Sequence, residues 1–210
     1  MFIAIVSTTS IDGKVRGPNL GERLGKYFPM PLSVQREIHK IRAGFDAILV
    51  GANTVRTDNP SLTVKLARVD KQPCRITVSK KTNLKFESNI FNGEAPSLLI
   101  TSLKAPGRVV ERLRSKGVEV VLLKDPYSVE EVVKILHSLG IRKLMIEGGP
   151  TLISTFLNAG VVNEILVIGY PLIVGGQVPA LVSRKLEKPI STKPTEFKVI
   201  SGFTFSRFEI

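Results

Sequence analysis

The sequence predicts an α/β fold with a mainly parallel central sheet and helices on both of its faces. Short apolar segments alternate with amphipathic segments along the 210 residues, which is the pattern of strands joined by helical crossovers. The tail, residues 196–210, alternates apolar and polar side chains as one or two further strands do, so we expect antiparallel strands at one edge. Because no repeat or linker interrupts the chain, we predict a single domain, residues 1–210.

The elements can be assigned in order from apolar periodicity and from turn residues. The predicted helices are residues 33–43, 108–116, 128–139 and 150–158, with a short helix after Gly51. Ser128 and Glu131 form a capping-box pattern. The predicted strands are residues 2–6, 46–50, 75–78, 97–101, 118–123, 143–146 and 164–170. Residues 16–31 and 175–194 are predicted to be long loops, where binding sites often lie.

The formal charge of +12 is compatible with three interpretations. A basic protein can bind nucleic acid, but the Lys and Arg residues are scattered, Trp is absent, and no helix-turn-helix, zinc-finger or RNA-recognition motif is visible. A lysine-rich surface and a site for an anionic substrate and cofactor also explain the charge, and these two interpretations are compatible. We therefore expect no nucleic-acid partner.

The sequence argues against a disulfide-bonded, a membrane-spanning and a metal-binding protein. Cys74 is the single cysteine, so no intramolecular disulfide can form, and we predict that it is a small core residue. No apolar run approaches the roughly 20 residues that span a membrane, and no export signal is visible, so we expect a cytoplasmic protein with no membrane partner. His39 and His137 have no partners at ligand spacing, so we predict no metal site.

The first motif with chemical content is Glu147-Gly148-Gly149-Pro150, where an apolar strand passes into a helix. Glycines let a ligand approach the backbone closely, and the free amides and dipole at a helix start favour a phosphate. In a parallel sheet this strand end lies at the carboxyl edge, where ligands usually bind. The alternative is a simple strand–helix turn with a solvated Glu147.

Two further motifs occupy residues 46–65 and 8–14. In the first of these, a buried strand is followed by Gly51, by a short helix that puts Thr54 and Asp58 on one face, and by an Asp-Asn-Pro turn. A hydroxyl and a carboxylate so placed can bind an amide or a sugar hydroxyl, and a helix cap with an Asx-type turn is the alternative. In residues 8–14, the first strand ends in hydroxyl residues and an Asp-Gly turn, which is a weak signal alone.

Together, in this order and spacing, the three motifs closely resemble the riboflavin-biosynthesis reductase family over essentially the whole chain. The resemblance implies a dihydrofolate-reductase-like fold, a homodimer, and NADPH as the cofactor, with NADH as an alternative. It implies reduction of a small phosphorylated aminopyrimidine, in which a ribosylamino group becomes a ribitylamino group. Our hypothesis for this step is direct hydride transfer to C1′ of the opened ribose. The zinc-deaminase motifs of the fused members are missing, so the chain resembles the free-standing kind, which acts on 2,5-diamino-6-ribosylamino-4(3H)-pyrimidinone 5′-phosphate.

The resemblance also implies roles for individual residues. The positions that match cofactor contacts are Thr9, Thr54, Asp58, Ser79, Gly148, Gly149, Pro150, Thr151 and Leu152. The positions that match substrate contacts are Arg42, Leu62, Lys65 and Glu147. Glu147 is also the candidate catalytic residue. Arg42 and Lys65 suit a phosphate, the one as a bidentate fork and the other as a point charge.

Two departures from the family pattern bear on the substrate. Lys65 stands where the family often has Arg. Residues 27–31, Tyr-Phe-Pro-Met-Pro, stand where the family has a Trp or a polar run with Thr-Ser. Phe28 can replace the aromatic residue, but the hydroxyls are missing. The alternative function is therefore a related reductase of another pterin-like or pyrimidine substrate.

Overall fold

The strands and helices of the computed structural model, which describes residues 1–19 and 21–210, follow the predicted order. In these residues the strands are β1 (Phe2–Thr9), β2 (Ala47–Gly51), β3 (Cys74–Ser79), β4 (Ser97–Ser102), β5 (Glu119–Leu123), β6 (Lys143–Ile146), β7 (Glu164–Gly169), β8 (Lys193–Ile200) and β9 (Phe203–Glu209). The α-helices are α1 (Leu32–Ala43), α2 (Ala52–Asp58), α3 (Gly107–Arg114), α4 (Val129–Ser138) and α5 (Pro150–Asn158). Leu20, which falls in the predicted loop 16–31, lies outside the described residues.

Nine strands within this described part of the chain form one sheet, in the order β5-β4-β3-β2-β6-β1-β7-β9-β8. The pairs β2–β3, β3–β4, β4–β5 and β1–β7 are parallel, whereas β9 pairs antiparallel with both β7 and β8. Parallel neighbours need long crossover connections, which explains the alternation of strands and helices in the sequence. The predicted fold class, mainly parallel with antiparallel C-terminal strands, is confirmed.

The chain packs as two compact units, each with apolar side chains at its centre. The first unit consists of Met1 and Lys40–Met145, and its least accessible apolar side chains include Ile48, Leu49, Ile76, Leu98 and Leu99. The second unit consists of Phe2–His39 and Ile146–Ile210, and its core includes Ile3, Ile5, Phe156, Phe203 and Phe205. The assignment of the whole chain to one domain stays a prediction.

The helices are short, and local capping sets their ends. Ser128 is the N-cap of α4, where its hydroxyl accepts a hydrogen bond from the amide of Glu131, as predicted. Gly117 and Gly140 follow α3 and α4 with φ angles of +78° and +84°, a left-handed conformation that glycine adopts without a steric cost. Across the described ranges, none of the helices combines the length and apolarity needed to cross a lipid bilayer.

Two predictions differ from the structure: the end of the first strand and the burial of Cys74. β1 continues to Thr9, beyond the predicted residue 6, because its polar end still pairs with β7 up to Gly169. Cys74 is only half-buried at the start of β3, so the prediction of a core residue was wrong, although burial does raise the pKa of its thiol to about 11. The next residue of the strand, Arg75, is the fully buried one.

Candidate functional site

The residues predicted to form the site are divided between the two units. The first unit contains Arg42, Thr54, Asp58, Leu62, Lys65 and Ser79. The second contains Thr9, Glu147, Gly148, Gly149, Pro150, Thr151 and Leu152. Thr9 and Ser79 are the last residues of their strands, and Glu147 follows the last residue of β6, as expected for ligand-binding positions of a parallel sheet. Residues 1–19 and 21–210 contain no group of three His, Cys, Asp or Glu that could hold a metal ion.

In the first unit, α2 and the end of β3 carry three of the predicted cofactor positions. α2 places Thr54 and Asp58 four residues apart on one face, and both are half-buried. Because β2 and β3 run parallel and in register, Ser79 lies at the same strand ends from which α2 begins. Ser79 is buried, and its carbonyl accepts a 2.6 Å hydrogen bond from the Thr101 hydroxyl. The helical interpretation of this motif is confirmed.

The turn after α2 is held by a buried arginine on β3. The Arg75 side chain is inaccessible to solvent, and its guanidinium donates to the carbonyls of Ser61 and Asn89. Asn59 ends α2 in a left-handed conformation with a φ of +42° and exchanges two 2.8 Å hydrogen bonds with Asn89. The segment between Asp58 and Leu62 is therefore fixed by contacts from β3 and from the turn at Asn89.

The three substrate positions of the first unit have different environments. The Leu62 side chain is 2 % exposed, so a ligand can reach its backbone more readily than its side chain. Lys65 is exposed and forms a 3.3 Å ion pair with Glu94. Arg42 lies half-buried in the last turn of α1. Their roles as substrate contacts stay predictions.

A basic pair beside Ser79 was missed by sequence reasoning. Lys80 and Lys81 follow Ser79 directly, and both are exposed. The loop that they open folds back onto α2, where Arg56 donates a 2.7 Å hydrogen bond to Asn83. This contact leaves the two lysines, which we call the basic pair, next to the predicted cofactor positions of α2 and β3. The sequence did contain a signal for these cations, which is two consecutive lysines directly after the end of a strand.

In the second unit, the chain between β6 and α5 forms an open turn. Glu147 is half-buried directly before it. Gly148 has a φ of +124°, and a Cβ added there would meet no atom within 4 Å, so a ligand has space beside this backbone. The peptide between Gly148 and Gly149 is cis. The structure therefore fits the interpretation of this motif as a place where a ligand approaches the main chain.

The first turn of α5 offers amides and a neighbouring cation. The amides of Thr151 and Leu152 have no partner within the helix because they belong to its first turn. Ser154 is fully buried, and its hydroxyl accepts 3.1 Å hydrogen bonds from the amides of Ser183 and Arg184. These bonds hold the exposed Arg184 near the start of the helix, where the dipole also favours an anion. Sequence reasoning missed Arg184 because the predicted loop 175–194 contains no recognisable motif.

Replacement of Ser154 by Ala is expected to lower the free energy of unfolding by about 1–2 kcal/mol, because two amides and one carbonyl lose a buried partner. Faster hydrogen exchange at Ser183 and Arg184 should accompany the loss. Thr155→Ala is the matched control, since Thr155 is half-buried and its hydroxyl bonds to a carbonyl of its own helix, and it should change stability by less than about 0.5 kcal/mol. Equal effects of the two substitutions in urea denaturation would contradict this role of Ser154.

A network around Asp12 fixes the turn after β1. The Asp12 carboxylate accepts a 2.6 Å bond from the Ser10 hydroxyl and bonds of 3.1 and 2.7 Å from the amides of Val174 and Gly175. These hydrogen bonds, the one from Ser10 first, lower the pKa of Asp12 to about 2. Thr9 is buried at the end of the strand. The Asp-Gly motif therefore joins two loops of the second unit, and the contact of Thr9 with a cofactor stays a prediction.

The unusual segment 27–31 packs on the antiparallel part of the sheet. The ring centre of Phe28 lies 5.6 Å from that of Phe203. Tyr27 and Lys26 both donate to the carboxylate of Glu22, and these bonds, with Lys26 first, lower the pKa of Glu22 to about 2. Phe28 therefore packs on β9, and Lys26 is paired within its own loop. That Phe28 replaces the aromatic residue of the family stays a prediction.

The sequence is similar to known proteins over nearly its whole length. Residues 1–202 match the family described as the RibD C-terminal domain. The chain is 38 % identical over 187 residues to the 2,5-diamino-6-ribosylamino-4(3H)-pyrimidinone 5′-phosphate reductase of Aquifex aeolicus, across 86 % of this chain and 82 % of that protein. It is 38 % identical over 180 residues to the protein of the same name from Methanothermobacter thermautotrophicus, across 84 % and 80 % of the two chains.

Solved structures share the fold. RibD of Acinetobacter baumannii superposes with a TM-score of 0.85 at 19 % identity, over 99 % of this chain, which spans 57 % of that longer protein. Rib7, the riboflavin biosynthesis reductase of Saccharomyces cerevisiae, superposes with a TM-score of 0.72 at 20 % identity, over 99 % of this chain and 89 % of that one. The α/β fold with antiparallel C-terminal strands is therefore that of the reductases that the sequence resembles.

Proposed function

The chain belongs to the RibD C-terminal domain family, and from that premise we propose that it is an NADPH-dependent reductase of 2,5-diamino-6-ribosylamino-4(3H)-pyrimidinone 5′-phosphate in riboflavin biosynthesis. Three relatives named as this reductase are 32–38 % identical over more than 80 % of the chain. Membership implies a reduced nicotinamide cofactor and a pyrimidine ribosylamino phosphate as substrate. A homodimer and a cytoplasmic location complete the proposal, the latter supported by a single, unpaired cysteine.

The observation that carries the proposal is the open turn at Gly148 followed by the first turn of α5. A dinucleotide pyrophosphate needs close approach to the backbone, free amides and a cation nearby. The space beside Gly148 allows that approach. The amides of Thr151 and Leu152 can donate to the phosphates, and the exposed Arg184 can neutralise them. The second unit therefore has the donor set that the cofactor requires.

The reaction asks the protein to bind and orient two ligands and to move one proton. The bound nicotinamide supplies the hydride. Reduction of the carbon–nitrogen bond at C1′ of the opened ribose also needs a proton on the nitrogen. We assign Glu147 to the substrate side, where it holds the pyrimidine or the ribose hydroxyls and assists this proton transfer. We assign Thr54 and Asp58 to the cofactor, where their hydroxyl and carboxylate bind its hydroxyl or amide groups.

The phosphate of the substrate is assigned to Arg42 and Lys65. Lys65 is 58 % exposed and Glu94 is 45 % exposed, and ion pairs between exposed groups contribute little to stability. A phosphate that carries up to two charges can therefore take the place of Glu94 beside Lys65. Arg42 can add a bidentate contact. A substrate without its phosphate should bind more weakly for this reason.

The choice of NADPH over NADH is assigned to the basic pair. Lys80→Ala/Lys81→Ala is expected to raise the Kd of NADPH about tenfold and to leave that of NADH within about twofold, because only NADPH carries a 2′-phosphate and a charged hydrogen bond contributes about 1.5–3 kcal/mol. Isothermal titration calorimetry with both nucleotides measures the two constants. Lys134→Ala/Lys143→Ala removes the same charge from two other exposed lysines of the chain and should change neither. If the control variant also bound NADPH about tenfold more weakly, net charge and not the basic pair would explain the effect.

The proposed activity is tested directly with the purified protein. NADPH and the diaminopyrimidine phosphate are mixed with it, and the loss of absorbance at the nicotinamide band is followed. We expect turnover that depends on both ligands and a product with a ribitylamino group by mass spectrometry. NADPH binding without turnover of this substrate, together with turnover of a pterin, would favour the related reductase; absence of nucleotide binding would overturn the proposal.

A further inference from the structure

An exposed lysine of the first unit is paired with an acid at the place where the proposed function assigns a phosphate. The Lys65 ammonium lies 3.3 Å from the carboxylate of Glu94. Exposed ion pairs usually contribute little, because ordering two long side chains costs entropy. In this pair the backbone beneath both side chains is fixed by hydrogen bonds, which lowers that cost and keeps Lys65 and Glu94 within reach of each other.

The backbone around Glu94 is attached to the buried guanidinium of Arg75. The side-chain oxygen of Asn92 accepts a 2.7 Å hydrogen bond from Arg75 and a 3.2 Å bond from the amide of Glu94. On the other side of Glu94, the carbonyl of Ala95 accepts a 2.5 Å bond from the same guanidinium. A hydrogen bond from Lys65, and then one from Asn92, lower the pKa of the Glu94 carboxyl. Glu94 is therefore charged at neutral pH and held beside Lys65.

The backbone around Lys65 is fixed in a similar way. The carbonyl of Ser61 accepts a 3.5 Å hydrogen bond from Arg75. The side-chain amide of Gln72 exchanges two 2.8 Å hydrogen bonds with the main chain of Val64, which is itself buried. The segments that carry Lys65 and Glu94 are thus joined through one buried arginine, and the ion pair has a defined geometry although both of its side chains reach the surface.

We propose that Glu94 is a specificity-determining residue, whose carboxylate occupies Lys65 until the phosphate of the substrate displaces it. The inference rests on the proposed function, which assigns Lys65 to that phosphate. Every anion that binds Lys65 has to displace Glu94, so the affinity of each anion falls by the same factor. The substrate also binds through its pyrimidine and its ribose, whereas inorganic phosphate binds through charge alone. Glu94 therefore keeps free phosphate out of the site and still admits the substrate.

The strength of the ion pair suits this exchange. An exposed pair shifts an equilibrium by up to about fivefold, which is enough to matter when anions compete. A phosphate monoester carries close to two charges at neutral pH, so it can displace a single carboxylate. The Glu94 side chain is 45 % exposed and can turn into solvent, while the hydrogen bonds of Arg75 to Asn92 and Ala95 remain. The exchange therefore needs no movement of the main chain.

The first test needs no turnover. Inorganic phosphate is titrated into the whole chain, and the NMR shifts of the amides of residues 62–66 report its binding at Lys65. We expect Glu94→Gln to bind phosphate about threefold to fivefold more tightly than the wild type. The gain should vanish when Lys65→Gln is present as well, because the two residues act on the same ligand.

The matched control for this titration is Glu87→Gln. Glu87 is also an exposed glutamate in an ion pair, 3.9 Å from Arg112, so its replacement removes the same charge and should leave the Kd of phosphate unchanged. An unchanged Kd in Glu94→Gln, an equal gain in Glu87→Gln, or a gain that persists without Lys65 would each overturn the proposal.

A second test uses steady-state rates with NADPH and the diaminopyrimidine phosphate. Glu94→Gln should lower the KM of this substrate about threefold to fivefold with kcat within about twofold, and should lower the inhibition constant of inorganic phosphate by the same factor. A residue that only supports the fold would instead raise KM or lower kcat, and either result overturns the proposal. If the wild type does not reduce this substrate but Glu94→Gln still binds phosphate more tightly, the proposed function fails and the role of Glu94 at a phosphate site stands.

Discussion

Replacement of Arg75 by Met is expected to lower the free energy of unfolding by about 3–5 kcal/mol, because each buried acceptor that loses its donor costs about 1–3 kcal/mol. The guanidinium donates to the carbonyls of Ser61, Asn89 and Ala95 and to the side chains of Asn92 and Ser97. Met has a similar length and no donor, so the cavity stays filled while the hydrogen bonds are lost. Urea denaturation followed by circular dichroism measures the change.

The control for this substitution is Arg108→Met. Arg108 is exposed on α3, so its replacement removes the same charge from the chain without breaking a buried network, and we expect a change below about 0.5 kcal/mol. The Arg75→Met protein should also show faster hydrogen exchange between Asn59 and Leu62, because Arg75 and Asn89 fix that turn. A stability within about 0.5 kcal/mol of the wild type would show that the turn holds without the arginine.

The elements of the fold could be predicted because their signals are local. Periodicity located the helices and strands, and Ser128 and Gly140 marked helix ends through hydrogen bonds to neighbouring residues. The turn at Gly148 was visible for the same reason, since two glycines between a strand and a helix allow a ligand to approach the backbone, and a simple strand–helix turn was the alternative. Resemblance to a family then supplied what spacing could not, which is the identity of the ligands.

What the sequence could not predict depends on residues distant in the chain. Arginine is usually found at the protein surface. Arg75 is buried because five acceptors from residues 61–97 meet around its guanidinium. Arg184 is placed near α5 by Ser154, thirty residues earlier in the chain. The alternation in the tail predicted strands but not which face each side chain occupies. The register with β9 and the ion pair of Lys198 with Glu37 of α1 place Phe197 on the face away from α1. Register and layer are tertiary properties, so periodicity leaves them open.

Replacement of Glu147 by Gln should reduce kcat by about 100-fold or more, because a positioned general acid contributes about 10²–10⁴ in rate. Gln keeps the size of Glu147 and its capacity to accept a hydrogen bond but cannot deliver a proton. The open turn at Gly148 is unchanged by this substitution, so the Kd of NADPH should stay within about twofold. Steady-state rates and nucleotide titration measure the two quantities separately.

The contrast between Glu147→Gln and Glu111→Gln makes this assignment specific. Glu111 is exposed on α3, and its amide variant should retain the wild-type kcat, since only net charge changes. If Glu147 instead only orients the substrate, its Gln variant should show a raised KM with a kcat near the wild-type value. Full turnover by Glu147→Gln at saturating substrate would therefore remove the proton-transfer role, and the acid would then be a bound water or a group on the substrate itself.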